Sequence, residues 1–242
     1  MTTTRSPAAR SPAARDLAAF AALLADETRA AFCLALLDGR AWTAGELARH
    51  ARVAPSTASE HLGRLVAGGL LAEERQGRHR YVRLADARAA HLVEDLAAYC
   101  APDAGHPPRT LREAGARNAM ARGRTCYDHL AGRLGTAITD AMTARGLLGQ
   151  DTGFALTDGG LRWFRDLGVE LVAKGRRPLA RGCLDWTERR PHLAGVAGAA
   201  LCRHALDTGW CVRVGTERAV KVTAAGERAL GELLGIGPEA LR

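Results

Sequence analysis

The segment PSTASEHLGRL, residues 55–65, carries two different sets of side chains on one predicted helix. Pro55 suits the first helical position, where the backbone N–H that proline lacks would have no helical partner in any case. Ala58, Leu62 and Leu65 recur at helical spacing and are expected to be buried. The other positions hold small hydroxyl, polar and basic groups. The pattern therefore predicts a helix with one buried side and one polar side.

The segments on either side of this helix predict what it packs with. In WTAGELARHA, residues 42–51, Thr43 and Glu46 have the spacing of a capping box, in which both side chains accept from free backbone N–H groups at a helix start. In LLAEERQGRHRYVRL, residues 70–84, two strand-like runs flank Gly77, which predicts a hairpin. Two short helices joined by a tight turn and followed by a hairpin form a winged helix-turn-helix.

The polar side of the second helix predicts a contact with double-stranded DNA. Short Ser and Thr side chains let a helix lie deep in a major groove, and longer polar side chains reach base edges or phosphates. The arginine-rich hairpin is expected to hold the flanking backbone or a narrow minor groove. The candidate DNA-contacting residues are Thr43, Ser56, Thr57, Ser59, Glu60, His61, Arg64, Arg75, Arg78, His79 and Arg80. The alternative is a small fold whose polar face is simply solvated.

Composition and charge agree with an anionic partner. The 242 residues carry a formal net charge of +8, which suits nucleic acid and would also suit an acidic lipid surface. The sequence has neither a run of apolar residues long enough to span a bilayer nor an apolar secretory signal. We therefore expect a cytoplasmic protein without a membrane partner, whose six cysteines are mostly reduced thiols.

These motifs resemble the winged helix-turn-helix of the ArsR/SmtB family of bacterial transcriptional regulators. The matching pieces are LADETR, STASEHLGRL, AGGLL and GRHRYVRL, and the resemblance covers residues 23–86. It implies a homodimer on a near-palindromic operator, usually a repressor that its effector releases. The segments 16–38 and 86–100 flank the predicted DNA-binding head and carry apolar faces, so they are the expected dimer helices.

The two metal sites known in this family do not carry over to this sequence. One site uses cysteines in the helix before the predicted DNA-contacting helix of residues 55–65 (the reading helix), and that segment, ELARHA, has no cysteine. The other uses acidic and histidine ligands in the helix after the wing, and DARAAHLVEDLAAYC, residues 86–100, lacks their required spacing. His91 is therefore expected on the helix surface or at a dimer interface, and not as a ligand.

The chain divides into two domains with a tail and a linker. We predict a disordered basic tail over 1–15, a DNA-binding and dimerisation domain over 16–100, a Pro-rich linker over 101–108 and a C-terminal domain over 109–242. Two C-terminal stretches align without gaps, HLAGRLGTAITDAMTARGLL from His129 and HLAGVAGAALCRHALDTGWC from His192. The predicted fold class is mainly α with small β-hairpin wings (α+β), its C-terminal domain being two degenerate winged-helix-like repeats.

The C-terminal repeats are the expected sensor. The candidate effector-binding residues are Cys126, Tyr127, His129, Trp163, Phe164, Cys183, Trp186, His192 and Trp210. A small organic effector held by the aromatic rings is the preferred interpretation, although large rings are also typical of a plain core. Thiol redox sensing by Cys126, Cys183, Cys202 or Cys211 is a second interpretation.

A zinc-like ion is a third, weaker interpretation of the sensor. Cys126 and His129, three residues apart, are predicted to share one helical face, and the duplicated Cys and His could supply four ligands. An enzyme is not expected, because no phosphate loop, nucleophile elbow or zinc-hydrolase helix accompanies these residues. An architectural DNA binder without an effector is the remaining alternative.

Overall fold

A computed structural model describes residues 11–76, 79–100, 110–151, 153–173, 175–215 and 218–241. These residues form two compact units. The N-terminal unit holds the described residues up to Leu36 together with Arg40–Ala89, and the C-terminal unit holds Leu37–Gly39 and the residues from Ala90 onward. None of the helices in the described part of the chain is long and apolar enough to cross a membrane.

The N-terminal unit contains four helices and one three-stranded sheet. In the sheet, β3 (His79–Leu84) lies between β1 (Trp42–Thr43) and β2 (Leu71–Gln76) and is antiparallel to both, and Leu71 faces Leu84. The elements are α1 (Pro12–Leu24), α2 (Glu27–Leu36), β1 (Trp42–Thr43), α3 (Ala44–Ala51), α4 (Pro55–Ala67), β2 (Leu71–Gln76) and β3 (His79–Leu84).

Local sequence signals explain where these helices begin. Asp26 accepts a hydrogen bond from the backbone N–H of Arg29 at 2.9 Å and so caps α2. The predicted capping box of Thr43 and Glu46 opens α3, and Pro55 occupies the first turn of α4. The core beneath these helices contains Phe32, Leu36, Leu47, Leu62 and Leu65. The winged helix-turn-helix predicted from the sequence is therefore confirmed.

Two segments differ from their predicted boundaries. Helix α1 begins at Pro12, inside the predicted tail of residues 1–15, and residues 1–10 lie outside the described part of the chain. Helix α5 (Ala87–Cys100) follows the wing, but from Ala90 onward its contacts belong to the C-terminal unit. The predicted linker of residues 101–108 is outside the described residues.

The C-terminal unit begins with α6 (Leu111–Arg122) and then runs twice through hairpin, helix, hairpin and helix. Each of the four hairpins is antiparallel. The first run is β4 (Arg124–Cys126), β5 (His129–Ala131), α7 (Gly132–Ala144), β6 (Leu148–Gly149), β7 (Ala155–Leu156) and α8 (Asp158–Asp166). The second is β8 (Arg181–Leu184), β9 (Pro191–Ala194), α9 (Gly195–Asp207), β10 (Cys211–Arg213), β11 (Val220–Val222) and α10 (Ala224–Leu234), before a short 3₁₀ helix (Pro238–Leu241).

Equivalent glycines let the two runs pack closely. A Cβ atom at Gly135 of α7 would lie 2.4 Å from the backbone oxygen of Leu130 and 3.4 Å from the Cβ of His192. A Cβ atom at Gly198 of α9 would lie 2.4 Å from the corresponding backbone oxygen and 3.2 Å from the Cβ of His129. Each helix thus leaves room beside its glycine for the histidine of the other run.

Candidate nucleic-acid interface and a buried cysteine and histidine cluster

The outward face of α4 is polar and accessible. Ser56, Ser59 and Arg64 are exposed, and Thr57 is half-buried. Helix α3 packs against α4 in the helix-turn-helix, and Arg52 makes the tight turn between them in the left-handed conformation, with φ of 56°. The face on which the sequence predicts DNA contacts is therefore accessible in the structure.

Glu60, the acidic residue in this face, is neutralised within the helix. Its Oε1 accepts a hydrogen bond from the Nη2 of Arg64 at 2.6 Å, one turn further along α4. Both side chains are more than half exposed, so the ion pair adds little to stability. Its main consequence is that it holds the guanidinium of Arg64 on the outward face.

His61 supports the reading helix from behind. Its Nδ1 lies 3.2 Å from the Nη1 of Arg29 and 3.6 Å from the Oδ1 of Asp26, and its side chain is 15% exposed. Arg29 also donates to the backbone oxygens of Leu23 and Ala22. His61 was predicted to contact DNA, but its described partners lie in the N-terminal unit itself. Arg29 was missed as a positioning residue, although LADETR contains it.

The wing presents fewer free arginines than its sequence indicates. The side chain of Arg75 is 77% exposed and lies 3.8 Å from Glu73, whereas Arg80 is paired with Glu73 at 2.5 Å. His79 faces Gln76 across the hairpin. Arg78 and Gly77, the predicted turn, are outside the described residues. The hydroxyl of Thr43 is occupied by the capping box.

The structure brings four of the predicted effector residues together in the C-terminal unit. We call Cys126, His129, Cys183 and His192 the Cys–His cluster: their ligand atoms all lie within 4.8 Å of one another. The predicted shared helical face is wrong. Cys126 faces His129 across the β4–β5 hairpin, and Cys183 faces His192 across β8–β9. In a hairpin the length of the turn sets how far apart in sequence two facing residues are. A Cys and a His three residues apart in one hairpin and nine apart in the other can therefore face each other in the same way.

Two aspartates lie behind the two histidines. The Oδ1 of Asp128 is 3.3 Å from the Nδ1 of His129, and the Oδ2 of Asp185 is 3.1 Å from the Nδ1 of His192. Each carboxylate is paired with an arginine, Asp128 with Arg177 and Asp185 with Arg124. Asp185 and Arg124 are fully buried, and the backbone N–H of Gly132 also donates to Asp185 at 2.6 Å.

Charges in the cluster shift the acidity of its members. The hydrogen bond from the Cys126 thiol is the main cause that lowers the pKa of Cys183, to about 2, against the opposing effect of burial. Burial raises the pKa of Cys126 well above its usual range. Burial would lower the pKa of His129, but the hydrogen bond to Asp128 and nearby negative charges raise it to about 10. Without an ion, the cluster therefore favours one thiolate beside one imidazolium.

Helix α5 contributes two further buried groups to this region. The Oε2 of Glu94 is 3.7 Å from the Sγ of Cys183, and burial raises the pKa of Glu94 to about 7. The ring of His91 lies 6.2 Å from the ring of His129. His91 was predicted on the surface or at a dimer interface, and this is wrong, because only 7% of it is exposed. Its neighbour His129, in β5, lies far along the sequence, so the local sequence pattern around His91 could not show its burial.

The predicted aromatic effector residues lie in separate places. Phe164 and Trp210 belong to the core of the C-terminal unit, and Trp163 packs edge-on against Phe164. Trp186 stacks over the guanidinium of Arg124, 4.7 Å from it. Tyr127 occupies the β4–β5 turn, with φ of 58°. A cavity of about 530 Å³ in the same unit is lined by other residues, among them Leu134, Val220 and Leu241.

The other predicted redox cysteines are poorly suited to thiolate chemistry. Cys202 and Cys211 are buried, and burial raises the pKa of each to about 12. A thiol with such a pKa is almost fully protonated at neutral pH and is a weak nucleophile. Of the four cysteines predicted as redox sensors, Cys183 alone has a lowered pKa.

Known proteins similar to this chain share the helix-turn-helix. The family described as "Helix-turn-helix domain" matches residues 24–74. The "Uncharacterized HTH-type transcriptional regulator YdfF" of Bacillus subtilis (strain 168) is 40% identical over 224 residues, which are 91% of this chain and 98% of that protein.

Solved structures agree over part of the chain. The transcriptional repressor BigR from Xylella fastidiosa is 28% identical and covers 36% of this chain and 88% of its own, with a TM-score of 0.33. The homodimeric winged helix-turn-helix DNA-binding domain Mb0332 from Mycobacterium bovis, a possible ArsR-family regulator, is 22% identical and covers 45% and 99%, with a TM-score of 0.36. The agreement with the Bacillus subtilis protein extends over nearly the whole chain. This chain therefore belongs to the HTH-type transcriptional regulators, and its N-terminal unit is their winged helix-turn-helix.

Proposed function

We propose that this regulator binds a near-palindromic operator as a homodimer and acts as a repressor, and that its C-terminal unit senses the signal that releases it. In this proposal the chain is a regulator without enzymatic activity, and it acts in the cytoplasm. The observation that carries the proposal is the polar, accessible face of α4 in front of a buried apolar face, with the wing next to it.

The division of labour follows from where the side chains lie. Ser59 and Arg64 are exposed on α4 and reach base edges, so they determine which operator is preferred. Arg75 is highly exposed on the wing and contacts phosphate, which binds all sequences alike. The dimer places two α4 helices in successive major grooves, about 34 Å apart.

The proposed dimer helix α1 has an unusual surface. None of its described residues is buried in the chain, and Leu17 is 70% exposed. Covering such a helix with its counterpart in a second copy would remove this apolar surface from water. Sedimentation of the purified protein at several concentrations tests the dimer, and a monomer at all of them would contradict it.

Variants of α4 and of the wing test the proposed DNA contacts. Arg64→Ala is expected to lose about 1–3 kcal/mol of discrimination between operator and random duplex, because a base contact carries sequence information. Arg75→Ala is expected to weaken both duplexes equally and to reduce the slope of log affinity against log salt by about 1, because it removes a phosphate contact. Fluorescence anisotropy with both duplexes over a salt series measures both effects.

Arg162→Ala is the matched control, since Arg162 is an exposed arginine of α8 and its loss changes the net charge equally. It should change neither discrimination nor slope. Equal losses on operator and random duplex for Arg64→Ala and Arg75→Ala would contradict the proposed roles. Binding by the wild type that is equally strong on every duplex would favour an architectural DNA binder.

A further inference from the structure

The Cys–His cluster has the donor set of a metal site, and its four members come from both runs of the C-terminal unit. Each run supplies one cysteine and the histidine opposite it in the same hairpin. The exposed fractions are 5% for Cys126, 1% for Cys183 and 0% for both histidines. The four ligand atoms are thus enclosed and close together, an arrangement that suits a single ion.

The distances agree with one tetrahedral ion. The two sulfur atoms lie 3.9 Å apart. Two thiolates that are each about 2.3 Å from a tetrahedrally coordinated zinc ion lie about 3.8 Å apart. The ligand atoms of all four side chains already lie within 4.8 Å of one another, so small side-chain movements bring them to bonding distance.

The surroundings of the histidines are those of metal ligands. The Nδ1 atom of each ring is next to a carboxylate, Asp128 for His129 and Asp185 for His192. The Nε2 atom of each ring is buried and has no hydrogen-bond partner among the described residues. A metal-bound histidine typically directs its other nitrogen to a carboxylate, which fixes the ring and raises its basicity. His129 has this hydrogen bond to Asp128, and the Nδ1 of His192 lies 3.1 Å from the Oδ2 of Asp185, close enough for a small ring rotation to form the second one.

The local charges also favour a bound cation. Two thiolates and the carboxylates of Asp128 and Asp185 are negative; Arg177 and Arg124 are paired with the two carboxylates, and Arg218 lies near Cys126. A divalent cation bound between the two sulfur atoms, which lie 3.9 Å apart, offsets the charge of both thiolates directly. Uncompensated buried charge is costly, so the deprotonated cluster is stable only with the ion.

From this geometry we infer that Cys126, His129, Cys183 and His192 bind one divalent thiophilic cation of the zinc class, and that its presence is the signal which the C-terminal unit senses. The sensing part rests on the proposed function. The cluster lies outside residues 24–74, which match the helix-turn-helix family. Helix α5 gives it a covalent path to the DNA-binding head, because Glu94 reaches Cys183 and the same helix begins three residues after β3.

Metal binding is tested on the full chain, freed of metal by chelator under reductant. Addition of Co²⁺ should give the ligand-field and thiolate charge-transfer bands of a tetrahedral two-thiolate site, with one ion per chain, and Zn²⁺ should displace it. Cys183→Ser should lose the two-thiolate spectrum. Asp128→Asn should weaken Zn²⁺ affinity about 10- to 100-fold, because it removes the partner that orients His129. Cys100→Ser, at an exposed cysteine outside the cluster, is the control and should match the wild type.

Native mass spectrometry of the wild-type protein measures the bound ion directly, so this test does not depend on whether a variant folds. A bound Zn²⁺ supports the site. No bound ion after incubation with Zn²⁺, or a loss of two hydrogens that marks a Cys126–Cys183 disulfide in its place, overturns it. Operator affinity is then compared between the metal-free and Zn²⁺-loaded protein. A change of at least tenfold supports sensing, and equal affinities overturn it.

The metal site and the proposed function can fail separately. Zn²⁺ binding without any operator binding in either form would refute the proposed function, and the metal site would still be supported.

Discussion

At the scale of single residues, Asp185 concentrates the charge chemistry of the C-terminal unit. Burial opposes its ionisation, but the nearby ring of His192 and the charge of Arg124 hold its pKa below the usual range. A carboxyl whose pKa is lowered by folding stabilises the fold above its ordinary pKa of about 4 and loses that contribution as the pH falls below it. The stability of the metal-free unit should therefore decline steadily below about pH 4.

Replacement of this carboxylate tests its role. Asp185→Asn should lower the free energy of unfolding by about 3–5 kcal/mol at pH 7, because it leaves Arg124 buried without a counter-charge. Urea denaturation in the presence of chelator measures the change at neutral and acidic pH, and the loss relative to wild type should shrink in acid. Asp140→Asn is the control, since its pair with Arg190 is exposed and should contribute under about 1 kcal/mol. Equal losses for both variants would contradict this explanation.

At the scale of the helix and the hairpin, local signals predicted the N-terminal unit well. The capping box of Thr43 and Glu46 and the proline that opens α4 act within one turn of helix, so a short window of sequence contains them. The Cys–His cluster depends on the packing of two separate hairpins, whose cysteines are 57 positions apart in the sequence. One sequence signal of the cluster is the Cys-x-Asp motif that begins at Cys126 in the first run and at Cys183 in the second. Composition and helical spacing alone do not reveal this motif.

The glycines of α7 and α9 provide the prediction at this scale. Gly135→Ala should destabilise the C-terminal unit by about 1–3 kcal/mol, because its Cβ would lie 2.4 Å from a backbone oxygen that cannot move easily. Thermal denaturation measures this. Gly115→Ala in α6 is the control: nothing lies within 4 Å of its Cβ, so the added helix propensity should stabilise by up to about 1 kcal/mol. Stabilisation by both substitutions would contradict the close approach of α7 to the backbone of Leu130.

At the scale of the whole molecule, two compact units share one helix. Helix α5 begins in the unit that carries the wing and ends in the unit that carries the Cys–His cluster. The sequence places the boundary after Cys100 because a proline-rich stretch follows, whereas the contacts of α5 place it at Ala90. A proline-rich composition indicates a linker in the sequence. The burial of one face of α5 depends on residues far along the chain, and local composition does not indicate it.

Selection of bound duplexes from a random-sequence library tests the central claim, that α4 reads DNA sequence, most directly. The wild-type protein should enrich a near-palindromic sequence whose half-sites are about 10 base pairs apart, because two reading helices of a dimer enter successive major grooves. The Arg64→Ala variant should enrich a different or more degenerate sequence. If the wild type binds the library in a salt-dependent way and enriches no sequence, α4 does not read DNA and the account is contradicted.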